Sequence, residues 1–168
     1  MRLVALYAIA TLIALALETT IPLWLPIGVL TPNLILILAV DLGMKHHGAL
    51  GALMAFAMGY AIDSFSGTHL GLNAFMLTLT YVIGYALSRY LISTSTAIGV
   101  IVVFVGATIT GLANSVSSAG LESSSGALAM LPRLAASAGV SALLAPWVFA
   151  LMGAGKRAVG LRMRPVRE

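Results

Sequence analysis

The chain has 168 residues, 60% of them hydrophobic and only 8% charged, with a mean hydropathy of +1.05. A soluble domain carries roughly a quarter charged residues, so the composition excludes an ordinary soluble enzyme, a disordered chain and a DNA-binding domain. The formal charge of +4 does not call for nucleic acid, because five of the nine cations fall in the last thirteen residues, directly after an apolar block. A basic tail in that position marks the cytoplasmic membrane face. There are no cysteines, which removes disulfides, thiolate metal sites and cysteine nucleophiles together.

Six apolar blocks predict an all-α polytopic membrane protein with six transmembrane helices. The first covers residues 3–21 and ends before Pro22 and Pro26. Met1-Arg2 followed by an apolar run has the look of a cleavable signal peptide, but the run continues past Ala14-Leu15-Ala16 to Ile21, so an uncleaved span is expected. The second covers residues 34–44 after Thr31-Pro32, a good helix start because proline loses nothing in the first turn. Eleven residues reach only ~16 Å, so this helix must either recruit residues 27–30 or stay partly within the protein. The third covers 48–62, the fourth 72–87, the fifth 97–113 and the sixth 130–152. A serine-rich joint, 115–125, reads as a solvated loop. One membrane domain, 1–153, and a basic tail, 154–168, are expected.

With six spans, Arg2, Lys45, Arg89, Lys156, Arg157, Arg162, Arg164 and Arg167 share one side, and only Arg133 lies opposite. The positive-inside rule then puts both termini in the cytoplasm. The five tail cations read as facing an anionic lipid surface.

In the third block Gly51, Ala55, Gly59 and Asp63 repeat every four residues on one helix face. Small residues so spaced admit another helix closely, either one from the same chain or one from a partner. Glu18 can reach headgroups at the end of the first span. Asp41 lies four residues before Lys45, close enough for an i,i+4 pair. Asp63 has two readings, as an ion-pair partner for Arg133 and as a cap for the amides of the turn that follows. His46, His47 and His69 could suggest a metal, but the topology puts the first two on the opposite side from the third, so they cannot share one ion. Ser123 to Ser125 lack a neighbouring base, and no glycine loop is followed by Lys-Ser/Thr. No catalytic residue, metal or cofactor is expected.

The segment Gly59-Tyr60-Ala61-Ile62-Asp63-Ser64-Phe65-Ser66-Gly67-Thr68-His69-Leu70-Gly71-Leu72-Asn73-Ala74-Phe75 ends one span in an Asp, turns through glycines and opens the next span. It resembles the signature of the MreD family, small polytopic subunits of the bacterial rod-shape machinery. Pro32-Asn33-Leu34 is similar to the family's Pro-Asp-Leu opening, with Asn33 where an acidic residue is usual, and Gly48-Ala49-Leu50-Gly51 opens the third span as in the family. The resemblance implies a non-enzymatic inner-membrane scaffold of the elongation complex. Its implied partner is MreC, with RodA, a penicillin-binding transpeptidase and MreB in the wider assembly and homo-oligomerisation left open. It also implies likeness to the six-helix substrate-binding subunits of energy-coupling-factor transporters, which supplies an alternative, a vitamin-type small-molecule binder. Gly51, Ala55, Gly59, Asp63, Gly67, Gly71 and Asn73 are the candidates for helix packing or a partner interface.

Overall fold

The computed structural model describes residues 2–24, 32–46, 48–66, 70–90, 96–119 and 124–160, and its elements are six α-helices. They are α1 (Arg2–Trp24), α2 (Leu34–Lys45), α3 (Ala49–Ser66), α4 (Leu72–Tyr90), α5 (Thr96–Ala119) and α6 (Ser124–Ala158). Every expected apolar block is present, and each helix runs past the C-terminal limit of its block. The serine-rich joint is mostly helical rather than a loop. Ser115 explains how α5 continues through it: its hydroxyl donates to the Gly111 carbonyl one turn back at 2.8 Å and so needs no water. Residues 120–123 lie outside the described residues.

Among the described residues four helices are long and apolar enough to cross a membrane, over Arg2–Thr20, Ala49–Ser66, Thr96–Ser117 and Leu131–Ala158. The chain is a membrane protein. α4 is of similar length but carries Asn73, Thr78, Thr80 and Arg89. α2 has 12 residues, about 18 Å of helix.

The arrangement explains why α2 can be so short. It touches each of the other five helices, and these close a ring around it in the order α1, α3, α4, α5, α6. Its residues from Ile35 to Met44 are all buried. A helix that is apolar on nearly every side fits such a position; residues 27–30 lie outside the described residues.

Successive helices alternate in direction. Tyr7 and Glu18 of α1 meet the end and the start of α2. Added Cβ atoms on Gly99 and Gly111 of α5 would collide with Phe149 and Leu134 of α6, in that order. Lys45, Arg89, Lys156 and Arg157 therefore gather at one end of the bundle, the basic end, while Glu18 and Asp63 lie at the other, the far end.

Close approaches at glycines hold α2, α3 and α4 together. A Cβ on Gly43 would stand 2.6 Å from the Tyr81 carbonyl oxygen, and one on Gly59 would stand 2.4 Å from Ala74 Cα. Without a hydrophobic drive between helices, such backbone contact is a main source of packing energy.

Candidate functional site

At the far end two carboxylates hold two helix starts. The first amides of an α-helix have no partner within the helix. For α4 they are served by Asp63, from the neighbouring α3. Its Oδ2 accepts from Gly71 N at 2.9 Å and Ala74 N at 3.1 Å, and its Oδ1 accepts from Asn73 N at 3.2 Å and Asn73 Nδ2 at 2.9 Å. Asp63 is 1% exposed, and a negative charge at this point also opposes the positive end of the helix dipole. Gly71, at φ +96°, takes the turn into α4. Asn73 passes the network on, its Oδ1 accepting from Asn114 Nδ2 of α5 at 3.0 Å.

For α2 the same task falls to Glu18 and Asn33. Glu18 Oε1 accepts from the amides of Leu34 and Ile35, and Asn33 Oδ1 accepts from Leu36 N at 2.9 Å. Asn33 is thus the N-cap, and Pro32 precedes the helix rather than sitting in its first turn. The backbone N–H of Asn33 donates to Ser141 Oγ of α6 at 2.9 Å. Beside the capped start of α2 lies a cavity of about 470 Å³, with Glu18, Asn33, Phe65, Thr110, Asn114 and Ser137 among its walls. Among the described residues its lining has one carboxylate and no cation.

At the basic end Asp41, 1% exposed, collects three donors. Tyr7 Oη of α1 donates to Oδ2 at 2.7 Å, Lys156 Nζ of α6 to the same oxygen at 2.7 Å, and Lys45 Nζ to Oδ1 at 2.5 Å. Lys156 also lies over the Tyr7 ring, 5.1 Å from its centroid. Nearby, Tyr81 Oη reaches the carbonyls of His46 at 3.0 Å and Gly48 at 2.9 Å, pinning the α2–α3 turn to α4.

The expected Asp41–Lys45 pair is present, and Asp63 caps the turn as one reading of it required. Two expectations need correction. Asp63 does not pair with Arg133, because its oxygens already serve α4. Arg133 is exposed on α6 and forms no ion pair among the described residues. Lys156 is not a lipid-facing tail residue: it is 1% exposed and belongs to the Asp41 cluster. Of the two readings of the small-residue row, packing within the chain is the one present: Gly51, Ala55 and Gly59 are all buried, and Gly51 and Gly59 face α4, Gly51 against the Tyr81 ring. Arg157 is exposed as expected. Gly67 and the tail cations Arg162, Arg164 and Arg167 lie outside the described residues.

Sequence reasoning passed over Tyr7, Glu18 as a cap, Lys156 as a core residue, and the glycine crossing of Gly43 with α4. A signal was present for one of these: two lysines and a tyrosine sit near the same predicted membrane face as the sole carboxylate of the second span.

The family model described as "rod shape-determining protein MreD" matches residues 1–154 of the chain. No curated protein and no solved structure gives a match. The match takes in all the capped helix starts and, but for Lys156, the Asp41 cluster, and by it the chain belongs to the MreD family of rod shape-determining proteins.

Proposed function

We propose that this protein is a non-enzymatic scaffold subunit of the rod-shape complex, spanning the inner membrane six times with both termini cytoplasmic and binding MreC. Family membership supports a role in rod shape determination. The observation that carries the scaffold reading is how the buried carboxylates are used. Asp41, Asp63 and Glu18 are each engaged in bonding one helix to another. Carboxylates spent in this way favour a rigid holder over a catalyst.

The basic end fits the cytoplasmic face by the positive-inside rule. In a six-span protein α2 crosses as the shielded hub and α4 as a ring member, so neither needs the apolarity of a helix facing lipid all round. The far end then faces outward. There Phe65 and Leu70, each 73% exposed, flank the α3–α4 turn, and Phe65 is also a wall of the cavity. A membrane-proximal segment of MreC docks there in this reading, with RodA, the transpeptidase and MreB reached through it.

The test is purification of the tagged chain from native membranes in mild detergent, with co-purifying proteins identified by mass spectrometry. MreC should be recovered with the wild type. Phe65→Ala combined with Leu70→Ser should lose MreC and rod shape while the protein stays inserted at normal level. Full recovery of MreC with the double variant would move the interface away from this end.

A further inference from the structure

The helix α2 is clamped at both ends by the same two neighbours. At the basic end Tyr7 of α1 and Lys156 of α6 hold Asp41. At the far end Glu18 of α1 holds the Leu34 and Ile35 amides, and Ser141 of α6 holds the Asn33 amide. Between these clamps the buried side chains of α6 are Ala142, Ala145, Phe149 and Met152. Next to Ser141 the small Ala142 and Ala145 permit close approach but give few knobs to fix register. Directional polar bonds add to what Phe149 and Met152 fix, and on α6 the two clamps are fifteen residues apart, ~23 Å of helix.

Lys156 is built for this role. A helical side chain leans toward the N-terminus of its own helix, which for α6 is the far end. Lys156 thus reaches back into the bundle to Asp41, the reverse of a lysine that snorkels out to headgroups. At the far end the clamp residues are also cavity residues. Glu18 and Asn33 are walls, and so is Ser137, whose carbonyl accepts from Ser141 Oγ at 2.9 Å.

We propose that the Tyr7–Asp41–Lys156 cluster is a register latch: it sets how α1 and α6 sit on α2 and thereby fixes the shape of the far-end cavity, coupling the two ends of the protein. The coupling is independent of what the cavity binds.

The charge count gives this latch an asymmetric signature. Asp41 has two cations, Lys45 and Lys156, whereas Lys156 has one carboxylate. Lys45 keeps its side chain 30% exposed and can turn to water, while Lys156 is enclosed. Asp41→Asn therefore strands a buried ammonium, but Lys156→Met leaves Asp41 still paired with Lys45. Breaking a buried pair from one side costs far more than replacing the pair with apolar groups. Lys156→Met should accordingly be the milder change, and it should suppress the defect of Asp41→Asn.

The chain has no cysteine, so Ser137→Cys alone reports on the cavity wall in native membranes. Its rate of modification by a small impermeant thiol reagent should rise roughly threefold or more when Asp41→Asn is added. The rise should be smaller with Lys156→Met and should fall back toward the parent rate in the Asp41→Asn/Lys156→Met combination. Arg157→Gln, which removes an exposed neighbouring charge, should leave the rate unchanged. If Asp41→Asn fails to accumulate, recovery of protein on adding Lys156→Met is the same suppression read as abundance. A modification rate that Asp41→Asn leaves unchanged would overturn the proposal. So would a combination no better than Asp41→Asn alone, or an Arg157→Gln effect as large as that of Asp41→Asn.

Discussion

Asp63 does for α4 what a capping residue of that helix would do, but from the next helix over. Because it serves two backbone amides through Oδ2 and one through Oδ1, its replacement is not a surface event. In Asp63→Asn one acceptor becomes an amide donor that faces other donors, and buried groups left unsatisfied cost about 1–3 kcal/mol each. Thermal unfolding in detergent should show a clearly lowered midpoint, and Arg133→Gln, whose parent residue stands apart from Asp63, should not. Equal losses in the two variants would restore the ion pair that the geometry excludes. Gly59 gives a second test at this scale. With Ala74 Cα only 2.4 Å from an added Cβ, even Gly59→Ala forces α3 off α4, an overpacking cost of about 1–3 kcal/mol. Co-purification of MreC should fail with Gly59→Leu only to the extent that the protein itself is lost, because this face is turned inward.

Among the elements α2 is the most constrained. Its first amides are held by side chains from itself and α1, its last turn by Asp41 and Lys45, and its middle by Gly43 against α4. Gly43→Leu should therefore damage the fold more than the same change at Gly139 of α6, where an added Cβ has nothing within 4 Å. The comparison needs only the amount of monodisperse protein recovered in detergent. The α3–α4 hairpin is the element most fully written in the sequence. Its cap, its glycine turn and its four-residue stripe all lie within a short stretch of chain, so local spacing is enough to name the readings open to each. α2 and α6 meet across more than a hundred residues, and no local pattern records that.

For the whole molecule the alternating helix directions put both termini of the bundle at the basic end. Single cysteines check which side that is. Leu70→Cys at the far end should react with an impermeant thiol reagent in cells with a sealed inner membrane, and Thr96→Cys at the basic end should react only after the membrane is opened. The reverse pattern would invert the protein in the membrane.

By itself the sequence determined the membrane class, the number and order of helices, the gathering of most cations toward one end and the Asp41–Lys45 pair. Each of these depends on hydropathy, charge or spacing within a few turns of chain. Only the tertiary structure decided that α2 is the hub, that the small-residue row of α3 faces α4, that Asp63 leaves Arg133 alone, and that Lys156 turns inward to Asp41. The physical reason is that lipid tails and neighbouring helices are equally apolar. An apolar helix surface therefore does not say whether it meets lipid or protein, and a lysine at a membrane boundary does not say whether its ammonium goes out to headgroups or back to a buried carboxylate.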